Sequence, residues 1–286
     1  MAAFKKVLAL VNDSERSRAT LGFAALVARD HDAGLTALYC VEQSRHAPYL
    51  DRSMTNTLVA FERRSANAEE LVADVAEFAG TTIKFIADDG DPATVAVRAG
   101  RLHDLVVVGQ WNAEDSGSTP ADLSYRMLMG AGRPVLFVPH SGDFQECGTR
   151  VLISWNANRE SARAVSDALP ILSRASFVEA IQFSSSGAGA DDDERLGGLS
   201  AYLAAHGISA QTTRQVPPHP SISERILSPT NVDASFAEML LSHAADLGAD
   251  LVVMGGYGHS RGFELILGGM TRTFLASMPI PVLMSH

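Results

Sequence analysis

The sequence predicts an α/β protein built from two tandem doubly wound domains, each a five-stranded parallel sheet in strand order 3-2-1-4-5 with helices on both faces. Three observations predict it: stretches that recur at nearly one offset, short unbroken apolar runs, and longer segments of helical period between those runs. The apolar runs are strands buried on both faces, as in the parallel sheets of βαβ units.

The recurrence comes first because it sets the domain count. Val7-Leu8-Ala9-Leu10-Val11-Asn12 returns as Val151-Leu152-Ile153-Ser154-Trp155-Asn156, 144 positions later. Asp104-Leu105-Val106-Val107-Val108-Gly109 returns as Asp250-Leu251-Val252-Val253-Met254-Gly255 after 146, and Pro134-Val135-Leu136 as Pro281-Val282-Leu283 after 147. Three matches in one order mean duplication. The domains are read as residues 1–142 and 149–286, and the segment from His140 to Thr149 has the composition of a short linker.

In the first copy, strands are expected at Lys6–Val11, Leu35–Val41, Ile83–Ala87, Asp104–Gly109 and Val135–Val138. Helices are expected from Ser14 to Asp30, Thr55 to Ala79, Pro92 to His103 and Ala121 to Met129. Ser14 precedes the first, Gly80 stops the second, and Asp91-Pro92 caps and opens the third. In the second copy, strands are expected at Val151–Trp155, Phe177–Phe183, Ile208–Val216, Asp250–Gly255 and Val282–Met284. Asn158 begins the first helix segment, a helix from Asp191 to His206 stops at Gly207, and another runs from Ala234 to Leu247. Between the last two, Pro217 to Asp233 reads as an irregular loop because of its prolines.

Composition narrows the partners. The chain has 286 residues, 46% of them hydrophobic, and a net charge of −10 with 23 Lys+Arg, which argues against a nucleic-acid or anionic-membrane surface. Cys40 and Cys147 make neither a disulfide framework nor a metal-ligand spacing, as expected of a cytoplasmic chain. No apolar run approaches the roughly 20 residues of a membrane span.

In a doubly wound sheet the ligand crevice opens at the carboxyl ends of strands where the strand order reverses. With the order 3-2-1-4-5, Asn156 and Gly255 face each other across it. After Gly255 the chain continues to Gly258 and Gly268 with the spacing G-x2-G-x9-G, the last glycine opening the final helix. Bare amides at a helix start suit a polyphosphate.

These residues carry a resemblance. The strand ends at Asn12 and Asn156, the Asp250–Gly256 strand, the glycine spacing and the closing Pro279-Ile280-Pro281-Val282-Leu283 resemble the universal stress protein family in its tandem form, over nearly the whole chain. The resemblance implies a cytoplasmic ATP-binding regulator or protective factor in stress response, with or without Mg, and no enzyme beyond slow hydrolysis. It places ATP at Asn156, Gly255, Gly256, Gly258, Gly268, Gly269, Met270 and Thr271, with Ile181 as an adenine neighbour. The family usually has aspartate where Asn156 stands and serine or threonine where Gly269 stands; Thr271 is the substitute hydroxyl. The resemblance also implies an internal pseudo-dimer through Val135–Val138 and Val282–Met284, open to further pairing as a homodimer.

The first copy lacks the two later glycines, and Glu114, Asp115 and Asp122 crowd the corresponding stretch. Carboxylates repel phosphate, so one nucleotide per chain is expected. Two alternatives stand beside this reading. One is an interaction module with both clefts empty. The other is a serine hydrolase, since Gly258-His259-Ser260-Arg261-Gly262 matches G-x-S-x-G; yet Ser260 lies five positions past Gly255, and only Glu264 and His286 follow it as acid and histidine. A P-loop is ruled out by its missing lysine, since Lys5, Lys6 and Lys84 all lie in the first copy. The remaining histidines, His206, His219 and His243 among them, read as surface and capping residues, with no metal site.

Overall fold

A computed structural model of the chain describes residues 3–40, 51–88, 90–110, 121–183, 190–216, 229–256 and 269–286. Two compact units divide the chain, Ala3–Gln145 and Glu146–His286.

In the first unit the elements alternate: β1 (Lys6–Val11), α1 (Glu15–Asp30), β2 (Gly34–Cys40), α2 (Asp51–Ala79), β3 (Ile83–Asp88), α3 (Pro92–Gly100), β4 (Leu105–Gly109), α4 (Ala121–Gly130) and β5 (Val135–Val138). Their order across the sheet is β3-β2-β1-β4-β5, and each pairing is parallel. Right-handed crossovers set the helix layers: moving outward from β1 to β3 puts α1 and α2 on one face, and the return to β4 and β5 puts α3 and α4 on the other. Contacts between α1 and α2, and between α3 and α4, agree.

The second unit repeats this with β6 (Arg150–Ser154), α5 (Arg159–Leu172), β7 (Phe177–Phe183), α6 (Ala190–Ala205), β8 (Gln211–Gln215), α7 (Pro229–Leu247), β9 (Leu251–Gly255), α8 (Gly269–Ser277) and β10 (Val282–Ser285). Its order is β8-β7-β6-β9-β10, again parallel. The central strands β1, β4, β6 and β9 are buried almost end to end, whereas β3 and β8 alternate toward solvent. Central position is what demands unbroken apolar sequence.

One aspartate does the same work in both units. Asp104, just before β4, accepts from the main-chain amides of Lys5 (2.8 Å) and Lys6 (3.0 Å). Asp250, just before β9, accepts from Gly148 (2.8 Å), Thr149 (2.9 Å) and Arg150 (3.2 Å). Each therefore ties the start of the unit's first strand to the start of its neighbour, satisfying amides that the sheet leaves over. Burial nonetheless pushes the Asp250 carboxyl upward, against those three amides.

Several expected bounds shift, each for a local reason. The helix expected from Ala234 begins at Pro229, because proline is tolerated in the first turn, where its missing amide would be unpaired. The loop expected over residues 217–233 is thus helical from 229, and 217–228 lie outside the described residues. The strand expected over Ile208–Val216 is reduced to Gln211–Gln215. Gly207 takes φ +76° and the Ile208 amide donates back to the Leu203 carbonyl at 3.0 Å, so Ile208 belongs to the stop of α6. The helix expected to reach His103 ends at Gly100, and tighter amide bonds from Leu102 to Ala99 and from His103 to Gly100 finish it. Helix α2 begins at Asp51, four residues before the expected start.

Candidate functional site

The sheet order reverses between β6 and β9, so the carboxyl ends of these strands frame the crevice of the second unit. Strand β6 ends at Ser154, paired with Ile181 on β7 and Met254 on β9. The next residue, Trp155, still donates its amide to the Ile181 carbonyl at 2.8 Å. Asn156 then leaves the sheet and is exposed, its Oδ1 accepting from the Asn158 amide at 3.2 Å. Ala157 follows with φ +57°, a left-handed conformation that a side chain with a Cβ disfavours. Asn158 caps α5, its Oδ1 accepting from the Ser161 amide at 2.7 Å.

Opposite this turn, β9 ends in Gly255-Gly256. A Cβ on Gly255 would lie 2.6 Å from the Ser161 nitrogen and 2.7 Å from the Glu160 carbonyl carbon, so the strand end meets the first turn of α5 backbone to backbone. Glycine is required at this point by packing alone. The Gly256 amide donates to the Ser285 carbonyl at 2.9 Å, and its carbonyl accepts from His286 Nδ1 at 3.0 Å. Arg159 joins the same end of the sheet, 3.5 Å from His286 Nε2 and paired with buried Glu160 at 2.9 Å.

The other expected positions are distributed as follows. Ile181 lies within β7 with its side chain fully buried. Gly269 and Met270 open α8, and Thr271 is buried in that helix's first turn, 4% exposed. Gly258, Gly268 and the hydrolase candidate Ser260 lie outside the described residues. So do Glu114 and Asp115, while Asp122 falls in the first turn of α4.

In the first unit the side chains at the equivalent strand ends bond to their own neighbours. Asn12, the counterpart of Asn156, accepts at Oδ1 from the Ser14 amide (2.9 Å), Ser14 Oγ (2.5 Å) and Ser17 Oγ (2.7 Å). Asp13 beside it holds Arg64 of α2 in a bidentate pair, with bonds down to 2.8 Å, and the guanidinium keeps its carboxyl below the usual range. Where the second unit has Gly256, the first has Gln110, buried, with Oε1 within 2.8 Å of the His140 amide and 2.7 Å of its Nδ1. The amide bond beneath survives in both units, Gln110 to Val138 and Gly256 to Ser285. After the glycine that ends the strand in each unit, Gly109 and Gly255, the first unit therefore carries a hydrogen-bonding side chain and the second carries none.

Sequence reasoning missed three features here. Trp155 Nε1 is covered from solvent and has no acceptor among the described residues. Ala157 stores left-handed strain, which the position after a strand-ending asparagine did not announce. His243 is no surface histidine: its Nε2 is 2.7 Å from Oε1 of buried Glu179 and its Nδ1 is 3.2 Å from Gln215 Nε2. The signal was a glutamate inside the apolar run Phe177–Phe183, since a buried carboxylate requires a partner. Among the described residues, no three His, Cys, Asp or Glu side chains are placed to hold a metal ion. Nor is any helix among them long and apolar enough to cross a membrane.

Comparison with known proteins bears on the whole arrangement. The sequence profile of the universal stress protein family matches residues 3–111 and 157–286, the second match beginning one residue past Asn156. No curated protein matches the chain. Among solved structures, a universal stress protein from Archaeoglobus fulgidus DSM 4304 is similar over 97% of this chain and 97% of its own, at TM-score 0.72 and 18% identity. A Pseudomonas aeruginosa UCBPP-PA14 protein assigned to the same family is similar over 98% and 92%, at TM-score 0.59 and 18% identity. These two likenesses bear on the fold. With the profile matched across most of both halves, and the reversed strand order present in each, the chain belongs to the universal stress protein family.

Proposed function

We propose that the second unit binds one adenine nucleotide, ATP with or without Mg, at the carboxyl ends of β6 and β9, and that the first unit binds none. The chain then serves in the cytoplasm as a nucleotide-dependent regulator or protective factor under stress, with at most slow hydrolysis of its ligand. The observation that carries this is the contrast between the two strand-ending asparagines. Asn12 has its side-chain oxygen committed to three donors, whereas exposed Asn156, next to the strand that ends in two glycines, accepts one bond at 3.2 Å among the described residues. Family membership supports the ligand class, and the spacing from Gly255 through Gly258 to Gly268 supports a main-chain cradle for phosphates.

In this reading Asn156, Gly255, Gly256, Gly258, Gly268, Gly269, Met270 and Thr271 surround the ligand. Ile181 contributes through the strand and not through its buried side chain. Lysine plays no part, because the second half contains none. Binding orders the glycine stretch, and that difference between states is what a partner reads.

Acid extraction of the purified protein, followed by equilibrium dialysis against ATP, tests the reading. Adenine nucleotide in the extract, or saturable uptake that Gly268→Val abolishes in a folded chain, is the expected result. An empty extract with no uptake establishes the empty interaction module instead.

A further inference from the structure

We propose that Trp155 is a ligand-binding residue of the second unit, its indole N–H donating a hydrogen bond to an acceptor on the nucleoside end of the bound nucleotide. The inference rests on the proposed nucleotide site and adds to it a residue and a polarity.

The indole nitrogen is buried, yet no described residue accepts from it. Buried donors in folded proteins are nearly always paired, because a donor stripped of water and left without an acceptor destabilises the fold. Trp155 also stands where a ligand is expected. It immediately follows β6, at the reversal of strand order, and directly precedes exposed Asn156. The residue as a whole is partly exposed even though the indole nitrogen is covered.

The first unit provides an internal control. The position 144 residues earlier is Val11, buried at the end of β1 and carrying no side-chain donor. At this position, therefore, a side-chain donor stands only in the unit proposed to bind, and no described residue accepts from it. Both crevices share strand order and register, so the fold alone does not call for tryptophan.

The polarity follows from the strands. The Trp155 amide is bonded to Ile181 on β7, on the opposite side of β6 from β9 and its glycines. Phosphates on the β9 side leave the other end of the ligand, base and ribose, on the β7 side. Oxygens and ring nitrogens there are ready acceptors for an indole N–H.

The chain has two tryptophans, so Trp111→Phe leaves Trp155 as the sole indole emitter. Titrating this protein with ATP and separately with adenosine is expected to shift Trp155 emission in both cases. Trp155→Phe, which keeps an aromatic ring and removes the donor, is expected to weaken both ligands by roughly tenfold. Unchanged emission at saturation, or affinity unchanged in Trp155→Phe, overturns the proposal. A loss confined to ATP assigns the donor to a phosphate and overturns it as stated. Should Trp155→Phe fail to fold, the emission titrations of the parent decide. Absence of ATP binding to the unsubstituted chain overturns the underlying site, and this inference with it, whereas binding with a silent Trp155 overturns only the inference.

Discussion

A Cβ on Gly255 would sit 2.6 Å from the main-chain nitrogen of Ser161, closer than side chains pack. The end of β9 and the start of α5 are therefore held together by the absence of a side chain. Backbone on both sides leaves no rotamer to move. At the counterpart Gly109, the nearest atom is Thr20 Oγ1 at 3.0 Å, the tip of a side chain.

Gly255→Ala is accordingly expected to cost about 2–3 kcal/mol of stability, and Gly109→Ala no more than about 1 kcal/mol. Urea denaturation of the two variants checks the difference, and equal losses would show that the two strand ends are packed alike.

Ala157 follows Asn156 at φ +57°, where an L-residue with a Cβ is strained by roughly 1–2 kcal/mol. Ala157→Gly relieves that strain at some cost in chain entropy, for an expected net gain of about 0.5–1 kcal/mol. A lowered urea midpoint for this variant would mean that the turn is not strained.

Much of this architecture was legible in the sequence, and the parts that were not share a cause. Strands Lys6–Val11, Val135–Val138 and Phe177–Phe183 have the expected bounds, because an unbroken apolar run between turn residues leaves a buried strand little choice. The edge strand β8 was misjudged, since its sequence, Gln-Thr-Thr-Arg-Gln, is polar and its limits depend on pairing with β7. In the site, Asn156 and Gly255 were expected at the crevice from the strand order 3-2-1-4-5, and they stand at the carboxyl ends of the strands that flank the reversal. The role of Gly255 in packing, the covered Trp155 nitrogen and the partnership of His243 with Glu179 all depend on atoms distant in sequence. No local pattern encodes the first two, and the third leaves only the glutamate inside the apolar run Phe177–Phe183 as a local sign.

Asp13 and Arg64 give a pH dependence with a definite sign. The Arg64 hydrogen bonds hold the folded-state pKa of Asp13 below its value in the unfolded chain. Their stabilisation is thus present above the ordinary carboxylate value near 3.8 and is lost as pH falls through the lower folded value. Both groups are partly exposed, the Arg64 side chain 41%, so the pair is worth about 0.5–1 kcal/mol. Asp13→Asn should lose that amount at pH 7 and match the parent under strongly acid conditions. A difference that grows on acidification would contradict the assignment.

The Cys40 thiol lies under α3, its Sγ 3.6 Å from the Pro92 carbonyl. Burial pushes its pKa up to about 12, with Asp88 and Asp91 adding to the effect. At pH 8 only on the order of one thiol in ten thousand is thiolate, so iodoacetamide should leave Cys40 unmodified until the protein unfolds. Mass spectrometry of the tryptic peptide reports this, and rapid native alkylation at Cys40 would refute the raised pKa.

The asymmetry of the two crevices is tested most directly by calorimetric titration of the full chain with ATP. About one ATP per chain is expected, unaffected by Asp13→Asn in the first unit and removed by Gly268→Val in the second. A stoichiometry near two, or binding that survives Gly268→Val in a folded protein, would contradict it.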